Sequence, residues 1–363
     1  MEGVISLGVG EPDFVTPLNI REAAICSLEK GYTVYTSDNG LPELRAELAK
    51  YLESRYGVSY TIDNELLITV GVSEGLDLAM RAILDPGDEV IMPDPCYVAY
   101  PACVSLAGGA PIQVPTSEED GFNITAQDIE RRITRRTKAI LINYPCNPTG
   151  AVLSKEQSGR IAELANRHNL LVISDEVYGQ LVYGVEHTCF ASLPGMKERT
   201  VLLDGFSKAY AMTGWRIGYA ASSQEIIEAM TKIRQYTTMC APITSQIAAI
   251  EALKRGDSVV KAMVNEYDQR RRFMVRGLRD IGLSCFEPRG AFYVFPSIKV
   301  TGMTSEEFAE KLLVEEKVAV VPGSAFGHCG EGHIRCCYAA SLSEIEEAIK
   351  RMGRFVKRHR RTT

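Results

Sequence analysis

Hydrophobic and polar positions fall into two textures over the first two thirds of the chain. Residues 19–30, 42–56 and 154–168 space apolar side chains as a helix does. Gly31 and Gly57 close the first two segments, and Ser154 with Gln157 forms a capping box at the start of the third. Between such segments lie short continuous apolar runs at 66–70, 89–92, 138–143, 170–174, 200–203 and 217–221. Runs of that kind fit strands covered on both faces, so the pattern predicts an α/β fold with a mostly parallel sheet between helices. From about Ser258 the texture changes. A long helix pattern reaches Ile281, and residues 283–297 read as two strands joined around Arg289-Gly290. A helix with a Thr304/Glu307 capping box, two strand runs and a final helix capped by Ser341 and Glu344 follow, which predicts a smaller α+β domain packed closely on the first.

Composition narrows the classes. The 363 residues are 45% hydrophobic and 24% charged, enough for a sizeable core and unlike a disordered chain. A net charge of -6 argues against the basic face that nucleic acid or an anionic membrane surface requires. No apolar run has the length of a membrane span, and the first ten residues lack a secretory layout, so a cytoplasmic protein with a small-molecule partner is expected. The ten cysteines contain no C-x-x-C pair and read as thiols, with Cys336 and Cys337 on opposite faces of a strand. His328 to His333 reads as a turn and residues 357–361 as a solvated helix end, so no metal is expected.

Three places carry candidate chemistry. Gly71-Val72-Ser73-Glu74-Gly75 follows an apolar run and opens a helix pattern. It matches the G-x-S-x-G turn of serine hydrolases, and equally a helix start whose free N–H groups hold a phosphate. Asp175 ends the run 170–174, where a carboxylate leaving a buried strand needs a cation or several donors. Lys208 stands just past another strand end, where a desolvated amine can form a Schiff base.

Taken together, the segment from Asn143 through Asn147 to Gly150 (NYPCNPTG), Asp175 with Tyr178, and Phe206-Ser207-Lys208 continuing to Met212-Thr213-Gly214-Trp215-Arg216 resemble the fold type I pyridoxal-phosphate enzymes. Within them the chain is similar to the class I aminotransferases of the aspartate and aromatic type. Further landmarks stand in register: residues 7–14 (LGVGEPDF), Tyr35 with 40–45 (GLPELR), 93–97 (PDPCY), 322–326 (PGSAF) and Arg335.

The resemblance implies pyridoxal 5'-phosphate as cofactor, held covalently by Lys208, which also moves the substrate proton. It implies that Asp175 pairs with the cofactor's ring nitrogen, that Asn147 and Tyr178 donate to its phenolic oxygen, and that Tyr97 stacks on the ring. The backbone at Val72 and Ser73, the Ser73 and Ser207 hydroxyls and Arg216 are the implied phosphate anchors. Tyr35 stands where the family places a tyrosine that completes the neighbouring subunit's phosphate site, which implies a homodimer with shared active sites. Arg335 matches the arginine that grips the substrate α-carboxylate, helped by the Gly10 backbone and Asn147. A large cofactor-binding domain over residues 18–265 and a small domain of 1–17 with 266–363 follow from the same likeness.

The likeness departs in places. It begins almost at the first residue, without the N-terminal helix and arm usual in the family, and Gly205 stands where some members have a serine. Residues 237–250 hold no arginine and the phosphate loop carries Ser73, so neither cation that selects dicarboxylates is present. The implied reaction moves an amino group from an aromatic, neutral or aspartate-like amino acid to a 2-oxo acid, 2-oxoglutarate being the expected acceptor. The alternatives are a β-lyase cutting carbon–sulfur bonds on the same fold, a serine hydrolase using Ser73 and a ligand-sensing module.

Overall fold

The computed structural model describes residues 3–361. After a two-residue strand β1 (Ile5–Ser6), the apolar runs become β2 (Leu66–Thr69), β3 (Glu89–Asp94), β4 (Ala110–Pro115), β5 (Thr137–Ile142), β6 (Leu171–Asp175), β7 (Thr200–Gly205) and β8 (Gly218–Ala221). β2 to β8 form one sheet in the order β2-β8-β7-β6-β5-β3-β4. Its neighbours are parallel except around β8, which runs antiparallel to both β2 and β7. The β7–β8 connection explains the exception. It holds one 3-10 turn, Thr213–Trp215, and no α-helix, whereas a parallel return needs a crossover of about a dozen residues or more, usually a helix.

Alternate strand residues enter different cores. Ala139 and Leu141 of β5 pack with Leu76, Met80 and Met230 on one face, while Ile140 and Ile142 pack with Ile161 and Leu164 on the other. Both faces are therefore dry, which is why the strands read as unbroken apolar runs. Burial of each leucine, isoleucine or methionine there stabilises the fold by roughly 1.5–3 kcal/mol.

The last third supplies β9 (Tyr293–Val294), β10 (Val318–Ala319), β11 (Val321–Pro322) and β12 (Ile334–Cys337). β9, β12 and β11 form a small antiparallel sheet, and β1 pairs in parallel with β10, Ile5 opposite Val318. The three capping boxes form at Ser154/Gln157, Thr304/Glu307 and Ser341/Glu344. Gly57 closes its helix in the left-handed conformation. Cys336 and Cys337 are both buried, and all ten cysteines are free thiols. The helix Asp257–Asp280 crosses the expected boundary at 265/266. Its Val260 packs beside Phe206 and Tyr210, its Tyr267 and Met274 beside Phe292 and Tyr338.

One expectation is corrected. Residues 283–297 do not form two strands; only Tyr293–Val294 is strand. The backbone around Arg289 bonds elsewhere, with the Arg289 and Gly290 N–H groups both donating to the Gly150 carbonyl at 3.0 Å and the Tyr183 N–H donating to the Arg289 carbonyl at 2.9 Å. Among the described residues no helix is long and apolar enough to cross a membrane, and no cluster of side chains could hold a metal ion.

Candidate active site

At the carboxyl ends of the central strands, where open α/β sheets receive their ligands, lies a cavity of about 390 Å³. Gly10, Val72, Ser73, Tyr97, Asn147, Asp175, Tyr178, Ser207, Lys208, Arg216 and Arg335 all line it. Tyr35 does not. It lies in an exposed stretch with Tyr32 and Val34, 78% accessible in the single chain.

Asp175 is the last residue of β6 and only 5% exposed. Its Oδ2 accepts from the Tyr100 hydroxyl at 2.8 Å and its Oδ1 from the Val177 N–H at 3.2 Å. Burial pushes its carboxyl up to about 6, with those two bonds and Lys208 pulling the other way. A cation facing Asp175 would restore the full charge, because opposite charge favours the ionised form of a desolvated acid. Asn143, just past β5, fixes this strand end. Its Nδ2 donates to the Asp175 carbonyl at 2.8 Å and its Oδ1 accepts the Asn147 N–H at 3.0 Å.

Lys208 follows β7 by three residues, and its Nζ donates to the Gly10 carbonyl at 2.7 Å. Burial lowers the amine to about 8, aided by Arg216 and Arg335 and opposed by Cys337 and Glu11. About a tenth of the amine is then unprotonated at pH 7, far more than of a free lysine. An uncharged amine is what nucleophilic attack on a carbonyl requires.

The opposite wall is the start of the helix Gly71–Ile83, whose N-cap residue Val70 provides no side-chain cap. The first-turn N–H groups there are available to an anion. Gly71 has φ +74°, and a Cβ on it would stand 2.7 Å from Arg216 Nη2. Glycine thus lets the guanidinium lie against the helix start, where Arg216, at φ 49°, is anchored by Nη1 donating to the Thr213 carbonyl at 3.0 Å.

Arg335, on β12, lies over the Tyr293 ring, 4.4 Å from its centroid, and 4.9 Å from that of Phe326. Its Nη1 donates to Asn147 Oδ1 at 2.9 Å and its Nη2 to the Gly8 carbonyl at 2.6 Å. Its Nε is buried without a partner among the described residues. A buried donor on a planar cation suits a charged acceptor such as a carboxylate.

Sequence reasoning missed Tyr100, Asn143 and Tyr293. Tyr100 follows the singled-out Tyr97 by three residues, and Asn143 opens a quoted motif, so both had weak signals. Tyr293 is a buried strand residue in an apolar stretch, indistinguishable there from core. A hydrolase reading of Ser73 has no support in this arrangement: no histidine lines the cavity. His187 pairs with Glu176 at 2.6 Å, and His333 stacks on Phe295.

A buried lysine, a buried carboxylate, an anion-ready helix start and two arginines around one cavity of an α/β sheet are the donor set of an enzyme acting on small anionic molecules. The family model for class I and II aminotransferases matches residues 2–352, and the chain belongs to that family. YugH of Bacillus subtilis (strain 168) is 58% identical over 356 residues, 98% of this chain and 92% of that one. The aspartate aminotransferase of Pyrococcus abyssi (strain GE5 / Orsay) is 46% identical over 365 residues, 100% of this chain and 94% of its own. The crystal structure of an aromatic aminotransferase from Pyrococcus horikoshii OT3 superposes with a TM-score of 0.97 at 45% identity, over 99% of this chain and 97% of that one. The protein is an aminotransferase of fold type I.

Proposed function

We propose that the protein uses pyridoxal 5'-phosphate to move an amino group from an aromatic, neutral or aspartate-like amino acid to 2-oxoglutarate, leaving the donor's 2-oxo acid and glutamate. The observation that carries this reading is the placement of the Lys208 amine and the Asp175 carboxylate in one cavity that Arg335 also lines. The donor set fits the cofactor: an amine, a carboxylate, a helix start with a guanidinium, and two neutral donors. When bound, pyridoxal phosphate supplies an aldehyde that takes up amino groups and a ring that draws electrons from the adjoining carbon.

The chain's own residues divide the remaining work. Lys208 would hold the cofactor covalently, and its Nζ would carry a proton from the substrate α-carbon. Asp175 keeps its charge against the ring nitrogen. Asn147, whose Oδ1 is occupied by Arg335, has its Nδ2 left to donate beside the Tyr178 hydroxyl. Tyr97 stacks on the ring. Val72, Ser73, Ser207 and Arg216 hold the phosphate, and Tyr35 of a second copy completes that site in a homodimer. Arg335, with the Gly10 backbone and Asn147, orients the substrate carboxylate. The division into residues 18–265 and 1–17 with 266–363, and a cytoplasmic place of work, belong to the same reading.

The test is direct. Purified protein given pyridoxal phosphate is expected to turn yellow, to fix the cofactor on Lys208 after borohydride, and to form glutamate from 2-oxoglutarate with a panel of amino donors. A preparation that stays colourless and yields no glutamate would sink the reading.

Two further outcomes follow from the geometry. Because burial lowers the Lys208 amine to about 8, the rate of covalent cofactor uptake by apoprotein is expected to climb as pH rises through about 8 and then level off. Stopped-flow absorbance from pH 6 to 10 checks this; a rate still climbing steeply at pH 10 would contradict it. Replacing Arg335 by alanine is expected to raise KM for amino donor and oxo acid together, cutting kcat/KM by about 10²- to 10³-fold, the scale of losing a buried charged hydrogen-bond partner. Arg335→Lys is expected to recover little, because one ammonium cannot form the two-pronged contact. Steady-state kinetics on both substrates would show it.

A further inference from the structure

Tyr293 lines the cavity with Tyr178 and Arg335, and three contacts define it. Its hydroxyl is 2.7 Å from the Tyr178 hydroxyl, and among the described residues these two groups bond only each other. Its ring carries the Arg335 guanidinium at 4.4 Å. A Cβ on Gly10 would stand 2.3 Å from its hydroxyl, so the bare α-carbon of Gly10 is what admits that oxygen.

At 2.7 Å either hydroxyl can donate to the other. One proton lies in the O–H···O bond and the other points away. In the function proposed above the Tyr178 proton goes to the cofactor's phenolic oxygen, and a phenol that has given its only proton there can only accept from its neighbour. With cofactor bound, the bond therefore runs from Tyr293 to Tyr178.

We propose that Tyr293 is a positioning residue for amino transfer: by donating to Tyr178 it aims the Tyr178 proton at the cofactor's phenolic oxygen, and through its ring it sets the height of Arg335. The proposal rests on the roles assigned above to Tyr178 and Arg335. It makes one side chain the register between the two halves of the site. The charged and titratable groups facing the pair are Asp175 and Lys208 on the cofactor side, Arg335 and Cys337 on β12, and Tyr97. Burial holds both phenols and the Cys337 thiol above their usual ranges, so all three stay neutral through the working pH.

The experiment is a visible-absorbance titration of reconstituted holoenzyme. Tyr293→Phe keeps the ring under Arg335 and removes the donor. The pH at which the chromophore changes colour is expected to rise by about half to one pH unit, the scale of one hydrogen bond, with KM for the amino donor within about twofold of wild type. In a Tyr178→Phe background the same change is expected to add nothing, since its effect runs through Tyr178. Gly10→Ala, which keeps both tyrosines and crowds the hydroxyl, is expected to move the titration the same way. A Tyr293→Phe titration coincident with wild type, or a shift that persists undiminished without the Tyr178 hydroxyl, overturns the proposal. Wild-type protein that takes up no cofactor and shows no transition overturns the function proposed above, and this inference with it.

Discussion

Replacing Lys208 by alanine is expected to abolish amino transfer, lowering kcat by about 10⁵-fold or more, the scale seen when a residue that carries the chemistry itself is removed. Two properties of Lys208 set the size. Among the described residues it is the one lysine lining the cavity, and its Nζ donates to the Gly10 carbonyl at 2.7 Å. No neighbour can replace it as a base. Tyr178 and Cys337 are held in their neutral forms by burial, and Arg216 and Arg335 are guanidiniums, which do not deprotonate in proteins. The same variant is expected to lose borohydride fixation while still binding cofactor through the phosphate anchors. Single-turnover absorbance with an amino donor measures the first effect and mass spectrometry after borohydride the second. A Lys208→Ala protein retaining more than a hundredth of wild-type turnover would refute the assignment.

The second large effect is expected at Asp175. Asp175→Asn keeps the shape, the acceptor for the Val177 N–H, and a partner for Tyr100, whose hydroxyl can accept from the new amide. The fold is therefore expected to survive, with an unfolding midpoint close to wild type. What disappears is the negative charge. In a water-excluded site, loss of a fixed charge facing a cation costs about 4 kcal/mol, or on the order of 10³-fold in kcat. Asp175→Glu is expected to fare badly as well, because one extra methylene cannot fit between Tyr100 and the cavity without displacing one of them. Thermal melts combined with single-turnover rates separate this outcome from simple misfolding. Near-normal turnover in Asp175→Asn would remove the carboxylate from the proposed chemistry.

Much of the architecture is legible in the amino-acid sequence. The central strands are dry on both faces, so their apolar runs showed in the sequence, and the capping boxes at 154, 304 and 341 marked helix starts through local hydrogen bonding alone. What escaped was decided by distant partners. β8 reads like its neighbours, and its reversed direction comes from the short link behind Lys208. Residues 283–297 read as two strands, yet Gly150, nearly 140 positions earlier, takes the N–H groups of Arg289 and Gly290 instead. The candidate site follows the same rule. Residues with a chemical signature stood out by type and place. Tyr100 and Tyr293 look like core and gain meaning only through the hydroxyl contacts that the fold creates.

The setting of Arg335 bears on selectivity. Its two bonds to neutral oxygens hold the guanidinium in one orientation, so under the proposed function an arriving carboxylate would meet a clamp that need not lose rotamer freedom on closing. Such a clamp would sense only the feature every amino acid and every 2-oxo acid share, and neither reactant of the exchange could be told from its rivals there. Re-engineering this enzyme toward a new donor therefore belongs on the cavity walls away from Arg335.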